Sequence, residues 1–137
     1  MKSLFIAAGV ASLAISGSAN AAVRSLGGPL SQNCYEAALS HDVRSFAIDG
    51  CTRALNEEGL LDPDRAATFV NRGILQMTAG RLSSADSDFD DALEINASLS
   101  DAWLNKGFLR IREGKAERQQ RDERKIPAKW SQNTKLL

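Results

Sequence analysis

The feature that most constrains this chain is a sequence pattern that recurs after 34 residues. The pattern is an aromatic residue followed by two glycines, and its two copies are Phe69, Gly73, Gly80 and Trp103, Gly107, Gly114. A fixed period of this size is typical of helical repeat proteins, whose units bury their apolar faces against one another. The sequence therefore predicts an all-α fold of antiparallel helical hairpins stacked as a short solenoid, with a function based on surface recognition.

Turn-forming residues divide the central part of the chain into helices. We predict two helices between residues 31 and 55, separated by a turn at His41 and Asp42, and further helices over residues 63–78, 82–95 and 101–113. Asp62 is predicted to cap the third helix with its side chain, because aspartate accepts the unpaired N–H groups of a first turn. Gly80 and Gly114 are each predicted to end a helix, since glycine readily adopts the left-handed conformation found there.

The first residues of the chain are typical of a secretory signal peptide. Lys2 precedes an apolar run over residues 4–15 and a small-residue stretch over residues 16–22. We expect cleavage after Ala21, with cleavage after Ala22 as an alternative. A retained membrane anchor is less favoured, because the apolar run is short for a membrane span. The protein is then exported to the bacterial periplasm, or secreted, with no membrane insertion after cleavage.

The predicted organisation has four parts. Residues 1–21 form the signal peptide, 22–30 an N-terminal linker, 31–114 the helical domain, and 115–137 a charged C-terminal tail or capping helix. About 115 residues remain after cleavage, which is enough for one compact domain with a modest core. Residues 115–125 are almost wholly polar and can form only a solvated helix, which Pro127 is predicted to stop.

Two cysteines, Cys34 and Cys51, lie in the exported part, where oxidising conditions allow a disulfide to persist. We predict a disulfide that joins the first two helices, and two buried free thiols are the alternative. A metal site is not favoured, because two cysteines and His41 do not complete a tetrahedral set of ligands. No metal and no cofactor are therefore predicted.

The formal net charge is zero, because 17 lysines and arginines balance 17 aspartates and glutamates. This balance argues against nucleic acid as the main partner. Every charged residue between residues 83 and 101 is acidic, whereas basic residues dominate from residue 115 onward. We interpret the two segments as solvated faces of opposite sign. Calcium binding by the acidic segment is a less favoured alternative, since carboxylates on a helix radiate around its axis and no glycine-centred loop accompanies them.

Residues 66–99 resemble one complete tetratricopeptide repeat. The resemblance rests on an aromatic residue and a glycine in the first helix and on small and aromatic residues in the second, namely Phe69, Gly73, Ala85, Phe89 and Ala92. Residues 100–114 are similar to the first helix of a following repeat, and Ala47, Cys51 and Ala54 to the second helix of a preceding one. Gly73 is expected to let the two helices of its hairpin approach closely, with Ala85 facing it.

The resemblance implies a module that binds a peptide or a partner protein without catalysis. Members of the family bind ligands on the concave surface formed by the first helix of each repeat, which here would be lined by Val70, Asn71, Ile74, Met77, Leu104, Asn105, Phe108 and Ile111. Most of these residues are apolar, which suits a hydrophobic peptide or helix. The alternative is a self-capped structural protein of the cell envelope, in which the first repeat and the tail, through Ile126, Trp130, Leu136 and Leu137, cover this surface.

The sequence gives little support for two more specific roles, which are binding of a terminal carboxylate and catalysis. A carboxylate-binding clamp built on Asn71 and Asn105 is not expected, because Asp101 stands where a cation is wanted, and asparagine on a helix more often bonds to nearby backbone. Catalysis is not expected either, since the chain has no glycine-rich phosphate loop and no nucleophile elbow. Its single histidine, His41, falls in a predicted turn.

Overall fold

The computed structural model describes residues 21–23 and 27–125, without the side chains of residues 122, 123 and 125. Within these ranges the chain contains no strand and forms five α-helices, which are α1 Pro29–Ser40, α2 Ser45–Glu57, α3 Asp62–Thr78, α4 Leu82–Ile95 and α5 Ser100–Lys125. The predicted signal peptide up to Asn20, the stop at Pro127 and the apolar tail residues from Ile126 onward lie outside the described residues. None of the helices in the described ranges is both long and apolar enough to cross a membrane.

Consecutive helices pack against each other, and α3 lies at the centre of the stack. α3 contacts each of the other four helices, including α1 and α5, which are not its neighbours along the chain. The largest side chains that are completely buried come from α3, α4 and α5 and include Ile74, Leu75, Met77, Phe89 and Leu109. The predicted all-α fold of stacked helical hairpins is therefore confirmed.

Local sequence signals account for both ends of α3, although not in the way predicted for its start. The helix begins at Asp62 with Leu61 as the cap residue and no capping bond from a side chain, so the prediction that Asp62 caps it was wrong. The end follows the prediction, because Gly80 adopts a left-handed φ of 78°. Its N–H donates to Met77 O at 3.1 Å and Arg81 N–H donates to Gln76 O at 2.9 Å, which satisfies the last carbonyls of the helix.

Gly73 allows the close approach of α3 and α4, as predicted, and its nearest neighbour is Phe89, whereas the sequence pointed to Ala85. A Cβ atom placed at Gly73 would lie 2.5 Å from Cε1 of the Phe89 ring, and its three nearest atoms all belong to that ring. Phe89 is completely buried. The glycine therefore provides the space that an aromatic ring from the second helix fills.

The prediction that Gly114 ends a helix was wrong, because α5 continues through Gly107 and Gly114 to Lys125. Gly80 is followed by α4, whose apolar residues pack back onto α3. Gly114 is followed by Lys115, Ala116, Glu117, Arg118 and Gln119, which favour helix and carry no apolar stripe that would draw the chain back. Residues 115–121 are all exposed, in keeping with the predicted solvated helix.

The first hairpin is held by a disulfide and by a carboxylate cap. Cys34 of α1 and Cys51 of α2 form the predicted disulfide, with their Cα atoms 4.9 Å apart. At the start of α1, the Glu58 carboxylate accepts hydrogen bonds from Leu30 N at 2.6 Å and Ser31 N at 2.8 Å. α1 has no capping bond from its own cap residue, Gly28. A side chain that follows α2 thus supplies the anionic cap that the N-terminus of α1 favours.

Candidate protein-interaction surfaces

The residues predicted to line a peptide groove are divided by the structure into buried and exposed sets. Val70, Asn71, Ile74 and Met77 of α3 are completely buried, and so is Asn105 of α5. Phe108 is half-buried, whereas Leu104 and Ile111 are 49% and 56% exposed. The α3 side chains therefore present no surface to a partner in this structure, and the remaining open surface lies on α5. Binding of a peptide by this set of residues stays a prediction.

Residues 21–23, which precede the first helix, help to cover α3. Ala22 and Val23 pack against the hydrophobic core. The Asn71 side chain accepts a hydrogen bond from Val23 N at 2.8 Å and donates one to Val23 O at 2.6 Å. A single side-chain amide therefore binds both backbone groups of one residue. The sequence assigned residues 22–30 to a linker and contained no signal for this contact.

Asn105 binds the same segment one repeat further along. Its Nδ2 donates to Ala21 O at 3.1 Å and to Asp101 O at 2.9 Å. Its Oδ1 is buried and has no hydrogen-bond partner, the only such side-chain atom found in the described residues. Asn71 and Asn105 lie 34 residues apart, at equivalent positions of the two repeats. Asn105 makes the predicted bond to nearby backbone, whereas the bonds of both asparagines to residues 21–23 reach backbone distant in sequence.

A second surface is an apolar stripe on α5, formed by Trp103, Leu104, Gly107 and Ile111. Trp103, Gly107 and Ile111 are spaced by four residues and so lie along one side of the helix. Trp103 is 57% exposed, and a Cβ atom placed at Gly107 would have no neighbour within 4 Å beyond its own helical turns. The opposite side of α5 is buried through Ala102 and Leu109. This α5 stripe is the counterpart of the side of α3 that α4 covers.

Ion pairs hold α5 in place beside α4. Lys106 Nζ lies 2.7 Å from an Asp86 carboxylate oxygen and 2.6 Å from one of Asp90, and Arg110 also pairs with Asp86 at 3.0 Å. The Lys106 hydrogen bond, helped by Arg110, lowers the pKa of Asp86 in spite of its partial burial. Asp86 and Asp90 of the acidic segment are thus paired with cations of α5. Across the described ranges, no three His, Cys, Asp or Glu side chains are grouped so that they could hold a metal ion.

A buried carboxylate on the other side of α4 has a structural explanation. Burial raises the pKa of Asp88, and hydrogen bonds from Arg72 oppose that shift. Arg72 Nη2 lies 2.6 Å from Asp88 Oδ1, and Arg72 Nη1 donates to Thr52 Oγ1 at 3.1 Å. A raised pKa in a buried acid is a common sign of a catalytic group. Here the contacts of Asp88 and Arg72 join α2, α3 and α4, and this structural role explains why a carboxylate is buried at this position.

A further depression lies between α1 and α2. It has a volume of about 510 Å³ and includes Ala37, Asp42, Phe46 and Arg53 in its lining. Phe46 is exposed at the rim, and the Arg44 guanidinium stacks over its ring at 4.4 Å. His41 lies in the adjoining turn, exposed and with a left-handed φ of 53°. Its charged lining residues are two acids, Glu36 and Asp42, and one base, Arg53, and among the described residues they form no convergent set of catalytic groups.

Comparison with known proteins gives a partial likeness. The chain is 37% identical over 54 residues to the protein named Cellulose synthase 1 operon protein C of Komagataeibacter xylinus, and 38% identical over 52 residues to Cellulose synthase operon protein C of Komagataeibacter sucrofermentans. These matches cover 39% and 38% of this chain and only 4% of each relative. No family model and no solved structure matches the chain. The likeness is therefore to a short part of much longer proteins.

Proposed function

We propose that this protein is a non-catalytic interaction module of the tetratricopeptide type, which binds a helical segment of a partner protein on the α5 stripe. The observation that carries the proposal is the exposure of Trp103, Leu104 and Ile111 along one helix, at 57%, 49% and 56%. Contiguous exposed apolar side chains of this kind mark interaction sites in soluble proteins. Tryptophan is also among the residues that most often dominate binding energy.

The geometry of the preceding repeat supports a helix as the bound element. At Gly73 the missing side chain admits the Phe89 ring of α4, and Gly107 occupies the equivalent position on α5, where no described residue lies opposite it within 4 Å. A partner helix that presents an apolar or aromatic side chain to Gly107 would reproduce the α3–α4 packing. Binding of an amphipathic helix in this way is a common mode of peptide recognition.

Two further observations support an exported module. The Cys34–Cys51 disulfide fits an oxidising compartment such as the periplasm. The segment matched in the two operon proteins is a small part of each, which fits a unit that larger proteins also use. The alternative remains a self-capped structural protein, and the way residues 21–23 cover α3 favours that reading for one face of the molecule.

Photo-crosslinking from position 111 in the native cell tests this function. We expect a crosslink to a different protein, and we expect Ile111→Asp, combined with a crosslinker at position 104, to abolish it while helicity is unchanged. Leu61→Asp is the matched control, because Leu61 is an equally apolar, exposed residue away from α5. A crosslink only to residues after Gly114 of the same chain would instead establish the self-capped protein. Equal capture by wild type and Ile111→Asp would refute the α5 stripe as the binding surface.

A further inference from the structure

Asn71 and Asn105 form a second site, on the opposite side of the α5 helix from the stripe. We propose that this site binds an extended polypeptide backbone, that residues 21–23 are its tethered resident, and that an extended segment of a partner protein can take their place. The proposal concerns the buried side of α3 and α5 and does not depend on the α5 stripe. The site recognises the backbone of the segment that it binds, and not a charged or aromatic side chain.

The contacts at Asn71 require an extended ligand. The N–H and C=O groups of one residue point to the same side of the chain only when that residue is extended, because successive residues of a strand alternate in direction. Asn71 binds both groups of Val23. Its amide therefore imitates the edge of a neighbouring β-strand, in the same way as complexes formed by strand addition.

Asn105 extends the same site by one repeat. It binds the carbonyl of Ala21, two residues before Val23, and residues two apart on a strand present their backbone groups to the same side. Asn71 and Asn105 occupy equivalent positions of successive repeats, and they bind residues that lie two apart in the segment, Val23 and Ala21. All three hydrogen bonds go to backbone atoms, so the site can accept other sequences whose side chains are small enough to lie where Ala22 and Val23 pack.

The resident segment leaves the site incompletely satisfied, which is why a second ligand can compete with it. Asn105 Oδ1 is buried without a partner, whereas the equivalent Asn71 Oδ1 accepts the Val23 N–H. A buried acceptor without a partner is costly. An incoming segment that offers an N–H to Asn105 as well as to Asn71 makes four hydrogen bonds in place of three. Cleavage after Ala21, as the sequence predicts, would also remove the Ala21 carbonyl and vacate the Asn105 half of the site.

The test measures binding of a free peptide to a chain whose own segment has been weakened. The protein begins at Ala19 and so keeps every residue that the structure describes. Val23→Pro removes the N–H that donates to Asn71 while leaving both helices untouched. The probe is a fluorescent peptide with the sequence of residues 20–26, and its matched control carries proline in place of the residue equivalent to Val23.

We expect the probe to bind the Val23→Pro protein about tenfold more tightly than wild type, as loss of a hydrogen bond in the competing segment implies. The proline-containing peptide should bind about tenfold more weakly than the probe, and adding Asn71→Ala to the Val23→Pro protein, which removes both hydrogen bonds of that amide, should weaken binding of the probe about a hundredfold. Equal affinity for wild type and Val23→Pro, or no binding to either, would overturn the proposal. Hydrogen exchange on the wild-type chain gives a second measurement: the Val23 amide should be protected, and exchange at the rate of an unstructured peptide would also overturn it.

Discussion

A methyl group added at Gly73 should destabilise the protein, whereas the same methyl group added at Gly107 should stabilise it. The two glycines occupy equivalent positions of successive repeats, so the substitutions Gly73→Ala and Gly107→Ala form a matched pair. At Gly73 the new Cβ would lie 2.5, 2.9 and 3.0 Å from three carbons of the buried Phe89 ring. At Gly107 it would meet no atom within 4 Å.

The size of each effect follows from two opposing contributions. Alanine in place of glycine stabilises a helix by about 0.5–1 kcal/mol, and this gain applies at both positions. Overpacking a core that cannot relax costs about 1–3 kcal/mol, and this cost applies only at Gly73 because the Phe89 ring has no exposed surface into which it can move. Subtracting the midpoint of the gain from the midpoint of the cost, we expect Gly73→Ala to lose about 1 kcal/mol and Gly107→Ala to gain about 0.5–1 kcal/mol.

Urea unfolding followed by far-ultraviolet circular dichroism measures both changes, and melting temperatures should differ by about 10 °C between the two variants. Phe89→Leu provides the control, because a smaller, more flexible side chain should recover part of the loss in the Gly73→Ala background and give a coupling energy above about 0.5 kcal/mol. If the two glycine variants change stability in the same direction and by similar amounts, close helix approach at Gly73 is not what the glycine provides.

Three further predictions address the first hairpin and the α4–α5 contact. Reduction of the Cys34–Cys51 disulfide should lower the free energy of unfolding by about 3 kcal/mol in the chain-entropy account, and two titratable thiols in the native exported protein would rule out the bond. Glu58→Gln should cost about 1–2 kcal/mol, because it weakens the cap of α1, whereas Glu57→Gln, next to it and exposed, should change stability little in the same denaturation assay. The folded-state pKa of Asp86 is lowered, so its contribution is present above its unfolded pKa of about 4 and is lost as the pH falls through the folded value. Asp86→Asn should therefore flatten the loss of stability in acid, and an unchanged pH profile would contradict the pairing.

Much of the fold could be predicted from the sequence because its signals are local. The predicted helix over residues 82–95 agrees with α4 at both ends, and that over 63–78 begins one residue after α3 does. Pro63 and Gly80 act within a single turn of backbone, so they need no knowledge of the rest of the chain. Gly114 lies at the position equivalent to Gly80 but does not end a helix. A glycine ends a helix only where the residues after it bury apolar surface by folding back onto the domain.

The candidate sites were harder to predict because they depend on what covers each helix. Leu104, Phe108 and Ile111 were expected to be on the binding surface and remain at least partly exposed. Trp103 was treated as the counterpart of Phe69, yet its exposure depends on the absence of a covering helix from the part of the chain described. The role of Asn71 depends on Val23, which is 48 residues away and carries no motif. Periodicity can place an asparagine on a helix face, but it cannot identify the backbone that reaches it.

The exposure of the α5 stripe is itself an argument for a partner. Full burial of a large apolar side chain contributes about 1.5–3 kcal/mol, so a small protein that leaves Trp103, Leu104 and Ile111 about half exposed forgoes several kcal/mol of stability. The total stability of a domain of this size is only about 5–15 kcal/mol. On the opposite side of the same helix, Asn105 and Leu109 are completely buried, and residues 21–23 help to cover that side. Within the described residues, one side of α5 is covered by the chain itself and the other is open, which is the arrangement expected when a partner supplies the missing contact.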